Sequence, residues 1–163
     1  MNILDLLSVD RVIVKAPLVS KKRALELSSQ LLASSQTNLS QPEIFDSLLG
    51  RERLGSTGLG GGVALPHGRI AGLEKAVGAF ILLAEGVDFD AIDRNPVDMI
   101  FALLVPREAT EEHLQILAML AETFRNTELR DNLRKAADVD QLLALLGNKT
   151  PQQQTVEKYL SAG

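Results

Sequence analysis

A histidine sits between a proline and a glycine at Pro66-His67-Gly68, just after a run in which five glycines fall between Gly55 and Gly62. Only two histidines occur in the 163 residues. Neutral imidazole is nucleophilic near pH 7, and a phosphoryl group carried on it stays labile enough to be passed on, unlike a stable serine or threonine ester. Pro66 fixes φ and lacks the donor that a central ladder needs, so it should stop the short apolar strand Val63-Ala64-Leu65 and leave His67 at the strand end. Gly68 leaves the imidazole uncrowded. The same residues also fit an ordinary polar turn, and the neighbours decide between the two readings.

Those neighbours include Arg51, Arg53 and Arg69, with His113 expected in the first turn of a helix capped by Thr110. Arginines near a helix C-terminus also simply complement its dipole, and His113 also fits a plain surface position. A helix N-terminus disfavours imidazolium, however, so a histidine there stays neutral, donates one hydrogen bond and shares an end that attracts anions. Metal ligation is the rival use of two histidines. Neither lies in an H-x-x-x-H or H-x-D/E pattern and no cysteine completes a set, so no metal site and no cofactor are expected. The glycine run fails G-x-G-x-x-G because Val63 and Leu65 occupy the required positions, and no Gly-Lys-Ser/Thr follows. Its backbone amides, Gly58 to Gly62, remain available to face an anion.

The elements that must position these residues follow from the apolar spacing. Val12-Ile13-Val14 reads as a short strand, followed by a helix capped by Ser20 with Ala24, Leu27, Leu31 and Leu32 on one face. Ser40 and Glu43 have capping-box spacing ahead of Ile44, Phe45, Leu48 and Leu49, a helix that should end near Gly50 to Arg53. Val77 to Leu83 and Val97 to Val105 are too continuously apolar for half-exposed helices and read as buried strands. The Thr110 helix carries Leu114, Leu117, Ala118, Ala121 and Phe124, and shorter amphipathic segments follow at Leu129 to Ala136 and Val139 to Leu146. The fold class is α/β, with helices covering a mixed sheet.

Composition bounds the partners. One domain is expected, since 163 residues with 45% hydrophobic content suffice for a single core. The absence of cysteine excludes a disulfide framework and a cysteine nucleophile, and fits a reducing, cytoplasmic compartment. No signal peptide or membrane-spanning run is legible, so no direct membrane insertion is expected. A net charge of −4 with five Phe and one Tyr makes nucleic acid an unsuitable partner.

Glu52 followed by Leu59-Gly60-Gly61-Gly62-Val63-Ala64-Leu65-Pro66-His67-Gly68 resembles the phosphohistidine signature of the type-2 enzyme IIA family of the bacterial phosphotransferase system. The segments Ser20 to Glu26, Arg51 to Gly58 and Phe89 to Pro106 are similar to its nitrogen-regulatory branch, so the resemblance extends over nearly all of residues 5 to 147. It implies a three-layer α/β/α sandwich as an enzyme IIA domain over 1–147, with a polar C-terminal tail at 148–163. It further implies a phosphotransferase acting as a stoichiometric carrier, with phosphorylation of His67, a phosphoryl group held by Arg51 and His113, and Thr57, in the same motif, as a further phosphoryl-binding residue. The implied partners are an HPr-like phosphohistidine donor and regulated target proteins. Gly61 departs from sugar-specific members that carry an acidic residue there. Two alternatives stay open at this level: a fructose- or mannitol-type component that passes phosphate to a transporter domain, and a non-reactive binding module. The chain encodes no cysteine-bearing acceptor, which leads to the expectation of a regulator rather than a sugar carrier.

Overall fold

The two continuous apolar runs become the longest strands in the computed structural model, which describes residues 2–147. The strands are β1 (Val12–Ala16), β2 (Gly58–Gly60), β3 (Val63–Ala64), β4 (His67–Ile70), β5 (Val77–Val87) and β6 (Val97–Pro106). The helices are α1 (Lys21–Ala33), α2 (Gln41–Glu52), α3 (Thr110–Phe124), α4 (Thr127–Arg134) and α5 (Val139–Gly147). The polar tail expected at 148–163 lies outside the described residues. Strand order is β1-β5-β6-β3-β2, with β4 also paired to β6. The β5–β6 pair is antiparallel, with Phe80 opposite Phe101, whereas β1 runs parallel to β5, and β3 and β4 run parallel to β6. The sheet is therefore mixed, as expected.

Alternation along the central strands divides the core between two helical layers. Phe80, Leu82, Phe101 and Leu103 pack with Ile116, Leu120 and Phe124 of α3, Leu133 of α4 and Leu142 of α5. On the other face, Ile81 and Ile100 meet Ala24 and Leu25 of α1, while Ala79, Ala102 and Leu104 meet Leu32 of α1 and Ile44 and Leu48 of α2. The result is an α/β/α sandwich.

Pro66 interrupts a strand without ending it. Val63 lies opposite Met99 and His67 opposite Leu103, so β3 and β4 form one line along β6. Proline removes a donor but keeps its acceptor, and the Leu103 amide donates to the Pro66 carbonyl at 2.9 Å. His67 consequently opens β4 instead of hanging off the end of β3.

The helix ends differ in instructive ways. Ser20 caps α1 by accepting from the Arg23 amide at 3.2 Å. Its buried face includes Ser28 and Ser29, whose hydroxyls are satisfied by the Ala24 and Leu25 carbonyls at 2.8 and 2.7 Å, while Leu27 and Leu31 are half-buried. At α2 the Ser40 hydroxyl accepts from the Glu43 amide at 3.4 Å and donates to the Glu43 carboxylate at 3.2 Å, so the pair closes through the hydroxyl and not through the Ser40 amide. Thr110 does not cap α3. Ala109 holds the cap position, Thr110 is the first helical residue, and its hydroxyl accepts from Arg69 at 3.0 Å. The buried stripe of α3 is Ile116, Leu120 and Phe124, which leaves Leu114 64% exposed instead of in the core.

The glycine run is a turn, not an anion cradle. Gly60, Gly61 and Gly62 have φ of +91°, +66° and +83°, three successive left-handed residues that only glycine adopts cheaply, and they reverse β2 into β3. Asp93 accepts from the Gly61 amide at 3.0 Å, and Arg134 donates to the Gly61 carbonyl at 2.7 Å while forking onto Asp98 at 2.8 and 3.0 Å. Asp93 fastens the loop to the β5–β6 connection and Arg134 fastens it to α4.

Candidate functional site

Three elements bring the candidate residues to one depression of about 600 Å³. The C-terminal turn of α2 supplies Arg51, the start of β4 supplies His67 and Arg69, and the first turn of α3 supplies Thr110 and His113, with Arg107 from the β6–α3 connection. Gly68 allows this convergence. A Cβ there would overlap the Ser47 hydroxyl and lie 3.3 Å from Ser47 Cβ, so the missing side chain lets α2 lie against β4 one turn before Arg51. Its role is thus helix approach more than room for the imidazole.

The His67 ring has a defined tautomer. Its Nδ1 lies 2.7 Å from the Leu65 carbonyl oxygen, an atom that only accepts, so Nδ1 carries the proton and Nε2 carries the lone pair. Burial lowers the His67 pKa from its usual value, opposed by the Leu65 hydrogen bond and reinforced by the Arg51 charge. His113 is shifted the same way, by burial first and then by His67 and Arg69. Both shifts favour the neutral ring. They meet edge to face with centroids 5.3 Å apart at 66°. His113 Nε2 is buried and has no hydrogen-bond partner among the described residues.

Cations surround the pair. Arg51 donates to the Gly55 carbonyl at 2.8 Å, which holds its guanidinium across the loop after α2. Arg69 bridges β4 to α3 through Thr110, and its backbone carbonyl accepts from Ser47 at 3.4 Å. Arg53 is exposed and does not line the depression. Thr57 does not line it either: this residue is 5% exposed, its hydroxyl donates to Glu52 at 2.7 Å and its amide donates to the same carboxylate at 3.1 Å. Leu54 and Leu114, 84% and 64% exposed, form an apolar rim.

Sequence reasoning missed Arg107, Ser47, Thr110 as a hydrogen-bonding group, and the two rim leucines. Arg107 was within reach, because it directly follows the β6 run and a strand-to-helix connection carries such a residue to the helix N-terminus. Among the described residues no group of three or more His, Cys, Asp or Glu side chains gathers in a metal-binding arrangement. No described helix is long and apolar enough to cross a membrane.

Gly61, the departure noted in the sequence, is filled from outside. A Cβ there would lie 2.8 Å from the Arg130 guanidinium carbon, so Arg130 occupies the place where an acidic side chain would project.

Residues 5–149 match the family described as the phosphoenolpyruvate-dependent sugar phosphotransferase system, EIIA 2. A nitrogen regulatory protein of Pseudomonas aeruginosa is 42% identical over 142 residues, covering 87% of this chain and 92% of that one. A fructose-specific EIIA component of Haloferax volcanii is 34% identical over 133 residues, covering 82% and 83%. The crystal structure of the nitrogen regulatory protein IIA-Ntr from Neisseria meningitidis superposes with a TM-score of 0.82 at 44% identity, covering 87% of this chain and 97% of that one.

Proposed function

The chain belongs to the type-2 EIIA family of the phosphotransferase system, and from that premise we propose that it is a regulatory phosphocarrier whose acceptor atom is Nε2 of His67. The observation that carries this reading is the 2.7 Å bond from Nδ1–H to the Leu65 carbonyl, which leaves Nε2 as the ring's nucleophilic nitrogen beside Arg51 and an unpartnered His113 Nε2.

In the proposed step the Nε2 lone pair attacks the phosphorus of a donor phosphohistidine. The new P–N bond forms in line as the donor's P–N bond breaks and its electron pair returns to the donor imidazole. The Nδ1 proton stays on His67, where the Leu65 carbonyl offsets the charge that the ring acquires. Such transfer needs little covalent help, so alignment and positive charge on the equatorial oxygens supply most of the catalysis. Arg51 offers a guanidinium fork, and neutral His113 with Nε2–H offers one donor. The donor is proposed to be a small HPr-like phosphohistidine protein, and the compartment the cytoplasm.

Similarity to both a nitrogen regulatory protein and a fructose-specific component leaves the onward acceptor as the point of difference. The same site chemistry serves either, and the regulatory reading rests on the higher identity to the nitrogen regulatory protein. Incubation with a charged phosphohistidine donor should add one acid-labile phosphate per chain, and His67→Ala should abolish it. Failure to gain mass, or label that persists in His67→Ala, would contradict the proposal.

A further inference from the structure

Glu52 and Lys21 form an ion pair at 2.9 Å beneath the site, with the Glu52 side chain 2% and the Lys21 side chain 22% exposed. Each is misplaced on its own helix. Lys21 is the first residue of α1, where the dipole disfavours a cation, and Glu52 is the last residue of α2, where it disfavours an anion. Burying the pair also carries a desolvation cost, so stability is a poor reason for its presence.

What the pair holds is more telling. Lys21 also donates to the Phe89 carbonyl at 3.3 Å and stands 4.8 Å over the Phe89 ring, which fixes its position. Both Glu52 oxygens are engaged by Thr57, through its amide at 3.1 Å and its hydroxyl at 2.7 Å. The Thr57 carbonyl in turn accepts from the Leu65 amide at 3.0 Å, and the Leu65 carbonyl accepts from His67 Nδ1 at 2.7 Å. A continuous run of hydrogen bonds therefore leads from a buried charge pair to the ring nitrogen opposite the proposed acceptor atom. Arg51 and Glu52, adjacent on the last turn of α2, divide the work: one lines the depression and the other anchors its floor.

We propose that Glu52, seated by Lys21 and acting through Thr57 and Leu65, is a positioning residue that sets the tautomer of His67. This rests on the reading of His67 as the phosphoryl acceptor, but the tautomer itself can be measured without any phosphoryl transfer. Glu52 fixes the Thr57 backbone, which holds the Leu65 amide and so restrains Leu65 from its N-terminal side. The Leu65 carbonyl, in the next peptide unit across the Leu65 Cα, then selects Nδ1–H over Nε2–H, which keeps the lone pair on Nε2.

The test uses the full chain with Thr57→Val, Thr57→Ser and Glu52→Gln, each first checked by thermal melting. Long-range ¹H–¹⁵N spectra of the imidazole report the tautomer, and single-turnover labelling from a charged donor reports the rate. Thr57→Val, which keeps volume and loses the hydroxyl, should show a mixture of tautomers and a roughly fivefold slower transfer, the scale of one net hydrogen bond. Glu52→Gln should do the same or worse, and Thr57→Ser should match the parent in both readouts. Folded Thr57→Val that keeps a single Nδ1–H tautomer overturns the proposal, whether its rate is unchanged or reduced. If the parent accepts no phosphate, the function proposed above fails, while the tautomer comparison still decides the role of Glu52.

Discussion

At the scale of the residue, the proposed transfer turns on which nitrogen of His67 is free. The Leu65 carbonyl answers this, and phosphorus NMR of the labelled protein should place the phosphate at Nε2; attachment at Nδ1 would contradict the assignment. A protonated ring has no lone pair to attack with. Because burial holds the His67 pKa below 6.5, the acid limb of the pH–rate profile should fall below pH 6.5, with the neutral ring and full rate persisting above it. A limb at or above that value would contradict the environment described. Arg51→Ala should cost on the order of 3 kcal/mol of transition-state stabilisation in single-turnover labelling. His113→Ala should slow transfer yet leave a labelled protein, since in the proposed step His113 orients the phosphoryl group and does not carry it; a folded variant with no labelling would refute that role.

At the scale of the element, two glycines make opposite predictions. Gly68→Ala would push α2 off β4 at Ser47 and draw Arg51 from His67, so labelling should slow more than the melting temperature falls. Gly62→Ala would strain a residue at φ +83° and place a Cβ 2.9 Å from Asp98, costing about 2 kcal/mol of stability measured by urea unfolding, while the labelling rate of the folded fraction stays near that of the parent. These contrasts also explain what the sequence made legible. Continuous apolar runs gave β5 and β6 because a strand buried on both faces leaves few polar positions, here Glu85 near the end of β5 and Asp98 near the start of β6, and Ser20 and Ser40 marked helix starts through a local side-chain bond. Pro66 misled because its lost donor is visible in the sequence while its retained acceptor matters only once β6 is beside it. Thr110 misled because capping competes with a tertiary partner, Arg69, 41 residues away. His67, Arg51 and His113 were legible as chemistry, but the route from Glu52 to His67 was not, since it passes through backbone groups that any residue has.

At the scale of the molecule, the layered fold places His67, the proposed acceptor, in an open depression edged by exposed leucines and arginines. The proposed phosphorylation would add roughly two negative charges there, enough to make or break contacts with a partner. Moving a two-state complex from 1:99 to 99:1 requires about 5.5 kcal/mol of differential affinity, which several charge-assisted hydrogen bonds can supply. A regulatory carrier should therefore exchange its phosphate chiefly with its donor, so that occupancy of His67 reports how fully the donor is charged. The most direct measurement is a chase of protein radiolabelled on His67, split between uncharged donor protein and membranes supplied with candidate sugars. Label should return rapidly to the donor and be retained in the presence of membranes and sugar. Rapid sugar-dependent loss of label, with sugar phosphate appearing, would contradict the regulatory reading and identify a transport component.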